Sequence, residues 1–434
     1  MTGWRGTSTS PQGLRLPFSV LAKPTGAVCN LDCTYCFFLS KEALYDGRPQ
    51  LMDDQGLQDY LGNLFDSQPD GPVEVSWQGG EPTMRGLDFF RRAVDLAEAL
   101  RRPRQTVSFA LQTNGTLLDD EWGAFLAEHH VLVGLSIDGP APMHDAYRVN
   151  KAGRGSHAQV VRGWRLLQRH QVDTNVLCTI HSANADHPLE VYRYLRDELG
   201  ARYLQFIPIV ERTSAEGLDL ADQGWRGVDG RRVLYRQVGD AVTGRSVTAE
   251  AYGAFMTEIF DEWLAHDVGT VFVQDIDVAL GNLLGRHTLC VSSPQCGSAL
   301  VVEHNGDVYS CDHYVEPGYK LGNVAEVPLQ VMLRSPQQVD FGNAKSATLP
   351  TQCRECPVLW ACHGGCPKDR IATTADGQPG VNHLCSGYRR FYGHAEPTLR
   401  RIAELVVNGR PAADISAGVG TSRLPARATA DDHT

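Results

Sequence analysis

Three cysteines crowd one short loop, Cys29-Asn-Leu-Asp-Cys33-Thr-Tyr35-Cys36, in a C-x3-C-x2-C spacing. Three thiolates can hold three irons of a cubane [4Fe-4S] cluster, whose complete ligation takes four cysteines. One iron is then left without a protein ligand and is an open coordination site. Short cysteine spacing also suits zinc, the competing reading of the loop. A second set lies far along the chain: Cys290, Cys296, Cys311, Cys353, Cys356, Cys362, Cys366 and Cys385. Eight cysteines make two complete four-thiolate sites, for clusters or for structural zincs. The last of the twelve, Cys178, sits alone in an apolar run and reads as a small core residue.

The bulk composition narrows the partners. The formal charge is −11, from 40 basic and 51 acidic residues. That balance argues against nucleic acid and against an anionic membrane surface, since phosphate binders need a basic face. No run approaches the roughly 18 apolar residues of a spanning helix, and Met1 to Ser10 has no hydrophobic signal core. The expectation is a cytoplasmic protein without membrane or nucleic-acid partners. Disulfides are rare in the cytosol, so twelve cysteines point to metal or redox chemistry.

The elements that must position these cysteines alternate. Strands are expected over 18–22, 73–77, 107–111, 131–137, 175–180 and 203–209, with helices over 53–65, 87–100, 119–128, 157–170 and 188–199. Six strands separated by helices imply a parallel sheet with right-handed crossovers. Parallel α/β barrels place their chemistry at the C-terminal strand ends. The cysteine loop, Gly79-Gly80-Glu81-Pro82, Thr113-Asn114-Gly115 and Ser136-Ile137-Asp138-Gly139 each follow a strand end. The fold expected is α/β: an incomplete, TIM-like (β/α)6 barrel followed by a cysteine-rich domain. Residues 1–17 read as a flexible tail and 18–248 as the barrel. Within it, 211–248 is either a surface insertion or a loop bordering the substrate cleft. A helical connection spans 249–285, the cysteine-rich domain 286–395, and a helix with a disordered tail 396–434. Asn305-Gly306 is the favoured two-residue hairpin turn, and the hairpin delivers Cys311 and Asp312.

The three-cysteine loop resembles the signature of the radical SAM enzymes, in which S-adenosylmethionine chelates the open iron through its amino and carboxylate groups. One strand-helix unit downstream, Gly79-Gly80-Glu81-Pro82 is similar to the motif with which those enzymes grip the methionine amine. The resemblance also places Tyr35, Ser136, Arg148 and Ile209 at SAM-contacting positions. The second cysteine set resembles the SPASM auxiliary-cluster domain. By that resemblance Cys290, Cys296, Cys311 and Cys366 hold one [4Fe-4S] cluster, and Cys353, Cys356, Cys362 and Cys385 another, making three clusters with the first. The fullest resemblance, over about residues 18–395, is to the anaerobic sulfatase-maturating enzymes. Its carriers include Trp77-Gln-Gly-Gly-Glu-Pro-Thr, Glu303-His-Asn-Gly-Asp-Val-Tyr-Ser-Cys-Asp-His and Cys362-His-Gly-Gly-Cys-Pro-Lys-Asp-Arg. In one place the chain departs from the family: Phe37-Phe38 stands where Phe-Tyr is common.

The resemblance implies oxidation of a Cys or Ser side chain in an unfolded or nascent sulfatase polypeptide to Cα-formylglycine. A 5′-deoxyadenosyl radical abstracts a Cβ hydrogen, and an electron donor such as flavodoxin or ferredoxin supplies reductant. Asp312, directly after the third auxiliary cysteine, matches the family's proposed base. A SPASM peptide maturase that crosslinks a ribosomal peptide is the alternative enzyme, and a zinc scaffold binding partner proteins is the non-enzyme alternative. His144, His181, His304, His313, His363 and His383 flank the motifs without zinc-like spacing and read as structural or supporting groups.

Overall fold

The computed structural model of the protein describes residues 15–45 and 51–418. Most of the expected N-terminal tail, and the C-terminal tail from residue 419, lie outside the described residues. The expected strands form as β1 (Ser19–Ala22), β2 (Gly71–Trp77), β3 (Gln105–Thr113), β4 (Leu132–Ser136), β5 (Thr174–Ile180) and β6 (Tyr203–Pro208). They pair in sequence order, all parallel. Helices fill the crossovers and bury one face. In the first, Asp54–Ser67, Asp53 caps the N-terminus by accepting from the Gly56 amide, and Leu57, Leu61, Leu64 and Phe65 turn inward.

The sheet stays open, and it grows at both edges. Beyond β6 a two-residue strand, Phe272–Val273, adds in parallel. Beyond β1 comes the strand Ala299–Val302, also parallel, with Ser19 opposite Ala299 and Ala22 opposite Val302. That strand is the first arm of the expected hairpin, whose return arm Asp307–Tyr309 then pairs with Lys320–Asn323. The cysteine-rich segment is therefore continuous with the barrel sheet. The last helix runs Cys385–Val407, so it begins at Cys385 itself rather than after residue 395. No helix among the described residues is long and apolar enough to cross a membrane.

Candidate active site at the strand rim

The cysteine loop leaves β1 and is tied down on two sides. Amides of Asp32 and Thr34 donate to the Val149 and Tyr147 carbonyls at 2.8 and 3.0 Å. On the other side Gly80 and Glu81 amides donate to the Gly26 and Val28 carbonyls at 2.8 and 2.9 Å. A Cβ at position 80 would lie 2.1 Å from the Val28 oxygen, and Gly79 holds φ +135°, so only glycines allow this approach. The Glu81 side chain turns toward Thr83, Thr113 and Asn114. It is fully buried and accepts from the Thr83 amide and hydroxyl, the Thr113 hydroxyl and the Asn114 amide at 2.7 to 3.1 Å. Four donors fill the roughly four lone-pair sites of a carboxylate. Burial raises its pKa despite those bonds. The Gly-Gly-Glu-Pro segment therefore meets residues 26–28 through its backbone, while its carboxylate locks the Thr113-Asn114 loop.

Arg148 is no solvated charge. It is buried and forks onto Asp138, with Nε to Oδ2 at 2.8 Å and Nη2 to Oδ1 at 3.0 Å. Tyr35 donates its hydroxyl to the same Oδ2 at 2.6 Å, the Thr179 amide donates to Oδ1 at 2.9 Å, and His181 Nε2 stands 3.5 Å from Oδ2. Burial alone would raise the Asp138 pKa, but Arg148 and His181 override it and hold the carboxyl well below its usual range. Asp138 thus ties β4, β5, Tyr35 of the cysteine loop and the 144–150 turn together. Its position in Ser-Ile-Asp-Gly was visible in the sequence, but not its partner. Ser136 accepts from Gln112 Nε2 at 3.0 Å, and Ile209 lies half-buried just past β6.

None of the twelve cysteines is in a disulfide. Burial is the first cause of the raised pKa in each member of the first trio, with Cys33 pushed up to about 12. The trio also act on one another: Cys36 raises both Cys29 and Cys33. In Cys296, Cys311, Cys353, Cys362, Cys366 and Cys385 burial again comes first. The cysteine neighbours that raise these pKa values fall into two groups. Cys311 responds to Cys366 and Cys290, and Cys296 to Cys290. Cys362 responds to Cys385, Cys353 and Cys356. Among the described residues no three such side chains converge as ligands of a single ion. Cluster thiolates each bind a different iron, so a cluster does not require that convergence. Buried neighbouring thiols, costly as bare thiolates, fit a group whose iron replaces their protons.

The chain is 42% identical over 403 residues to a serine-type anaerobic sulfatase-maturating enzyme of Bacteroides thetaiotaomicron, covering 92% of this chain and 94% of that relative. It belongs to the anaerobic sulfatase-maturating enzymes. A model of the radical SAM superfamily matches residues 24–195, and one of an iron-sulfur cluster-binding domain matches residues 290–357. These are radical SAM enzymes, so S-adenosylmethionine and iron-sulfur clusters are the cofactors. A cysteine-type anaerobic sulfatase-maturating enzyme of Clostridium perfringens is 31% identical over 394 residues, covering 89% of this chain and 98% of that one. Among solved structures, native anSMEcpe with bound AdoMet and Cp18Cys peptide superposes with a TM-score of 0.77 at 29% identity. The match covers 90% of this chain and 100% of that one. Family membership removes the zinc scaffold from consideration.

A group of buried charges lies at the seam between the two cysteine regions. Asp312 follows Cys311 at the hairpin's end, and its Oδ1 lies 2.7 Å from Lys23 Nζ, just past β1. The same ammonium stands 3.3 Å from Glu303 Oε1 and 4.1 Å from the Phe38 ring centre. His313 stacks on Phe37 at 5.3 Å, and burial pushes its pKa down to about 3. Sequence reasoning missed Lys23 and Glu303, since an isolated lysine or glutamate carries no periodic signal. The 211–248 segment borders this seam. It builds a small core of Ala221, Trp225 and Tyr235 against Phe37. It also sends Arg226 and Arg232 to Asp32 of the cysteine loop, and donates to Glu316 and to the Lys368 carbonyl beyond.

Proposed function

We propose that this protein oxidises a serine or cysteine side chain of a sulfatase polypeptide to Cα-formylglycine. The observation that carries this reading is the placement of Asp312. One sheet brings the carboxylate from the auxiliary hairpin to the end of β1, beside the strand that leads into the three-cysteine loop. Cys29, Cys33 and Cys36 would hold the first cluster. Cys290, Cys296, Cys311 and Cys366 would hold the second, and Cys353, Cys356, Cys362 and Cys385 the third. Loaded with SAM, these groups supply removal of a Cβ hydrogen and acceptance of an electron. The chain's own part is to orient the peptide and to take the hydroxyl or thiol proton at Asp312. For serine the balance is one hydrogen atom from Cβ, one proton from the hydroxyl to Asp312 and one electron, removed from CH2–OH to leave the aldehyde.

Serine is the preferred residue in this reading. The support is the higher identity to serine-type relatives, 42% against 31% for the cysteine-type one. Phe38, with no phenol, sits beside the Lys23 ammonium in this site. The test is anaerobic incubation with SAM, reductant and paired serine and cysteine peptides, read by mass spectrometry. Aldehyde from the serine peptide supports the assignment. Deoxyadenosine and aldehyde both absent from both peptides would remove it, and crosslinked peptide would favour the maturase alternative.

A further inference from the structure

Lys23 is the least ordinary charge in the molecule. Its side chain is 1% exposed and stands at the seam where β1 ends and the auxiliary hairpin begins. The Lys23 amide donates to the Val302 carbonyl at 2.8 Å, so its backbone is fixed by the strand that carries Glu303 next in sequence. Two carboxylates, Glu303 and Asp312, flank one ammonium. Beyond those two ion pairs, Glu303 Oε2 and both ring nitrogens of His304 are buried without a hydrogen-bond partner. A buried charge on both sides of an ion pair is costly unless geometry and further bonds compensate. Salt bridges kept only for stability are normally better satisfied than this.

We infer that Lys23, anchored by Glu303, is a positioning residue that fixes the Asp312 carboxylate toward the substrate side chain. By gripping Oδ1 it leaves one defined oxygen of Asp312 to the peptide. Glu303 serves as the second anchor, so the ammonium is held from behind and cannot follow Asp312 if that side chain swings. Phe38 closes the remaining side with its ring face, a contact that suits a cation and admits no competing hydrogen bond. Burial works against the Lys23 charge, yet the carboxylates outweigh it and keep its pKa above the ordinary lysine value. The clamp therefore stays charged throughout the neutral range. This inference rests on the reading that Asp312 faces the substrate side chain.

The test uses cluster-loaded, full-length protein and the serine peptide. Lys23→Met should lower aldehyde formed per deoxyadenosine on the order of 10–100-fold, because a displaced reacting group costs rate even when it is present. Lys23→Arg should recover part of that loss. Lys23→Met/Glu303→Gln keeps the net charge of the trio and controls for folding: it should match the wild-type melting temperature and iron content while remaining uncoupled. Peptide affinity is measured in a cycle with Asp312→Asn. Lys23→Met should weaken peptide binding in the wild-type background and leave it unchanged in the Asp312→Asn background. Equal weakening in both backgrounds, or full coupling in Lys23→Met, overturns the clamp. Aldehyde formation by Asp312→Asn at the wild-type rate overturns the reading of Asp312 instead, so the two failures are distinct.

Discussion

Two buried ion pairs sit on the same rim and are built in opposite ways. Around Asp138 both carboxylate oxygens are bonded: Arg148 forks onto them, Tyr35 and the Thr179 amide complete them, and only His181 Nε2, 3.5 Å off, has no hydrogen bond. Around Lys23 one ammonium faces two carboxylates, and Glu303 Oε2 and both His304 ring nitrogens have no hydrogen-bond partner. A closed network of this kind holds loops in place. One with unused donors and acceptors, set beside a partly open carboxylate, has capacity left for a ligand. The contrast separates the frame of the site from the part proposed to meet substrate.

The comparison can be broken by exchanging effects. Asp312→Asn should cut aldehyde formation about 10²–10⁴-fold, the range for a positioned general base, with a near-native melting temperature. Asp138→Asn should do the reverse, losing about 3 kcal/mol or more of stability in denaturant titration, because it strands the buried Arg148 charge. If Asp312→Asn proved the more destabilising of the two, the division into frame and working part would fail.

A smaller effect depends on pH. His144 is buried beneath Asp138; its Nδ1 accepts from the Asp138 amide at 3.2 Å, which leaves Nε2 to donate to Ser156 at 3.1 Å. Burial pushes its pKa down to about 3, so the folded protein keeps it neutral while the unfolded chain protonates near 6.5. Its contribution is complete above about pH 6.5 and is lost as pH falls from there toward 3, by about 1.4 kcal/mol per unit. Denaturant titrations at pH 6.5 and 5.5 should show that slope in the wild type and a shallower one in His144→Gln. The smallest effect lies outside the frame. Asp32→Asn frees Arg226 and Arg232, costs about 1 kcal/mol, and should make cleavage within 211–248 about five-fold faster in limited proteolysis.

What the sequence revealed was local. Each barrel strand shows in its own apolar run, each crossover helix in its own spacing, and the hairpin in Asn305-Gly306. The cysteine loops announce themselves by residue type. Pairings between distant segments left no such trace. Nothing near Ser19–Ala22 indicates that its partner is Ala299–Val302, and Phe272–Val273 is too short to show a period. The burial of the Glu81 carboxylate left no trace because two of its donors, Thr113 and Asn114, lie some thirty residues away. The bidentate grip of Arg148 on Asp138 was hidden for the same reason: a lone charge in a sequence looks the same whether it is solvated or buried.

The parallel pairing of β1 with Ala299–Val302 also sets an order on biosynthesis. The first strand emerges early, but its outer edge has no neighbour until nearly three hundred residues have been made. Such long-range closure is slow, and an unpaired edge invites association with other chains in the interval. Lys23 and the loop that carries Cys29 hang from that edge. A chain truncated before residue 299 should therefore be prone to aggregate, and assembly of the first metal centre should wait on synthesis of the auxiliary domain.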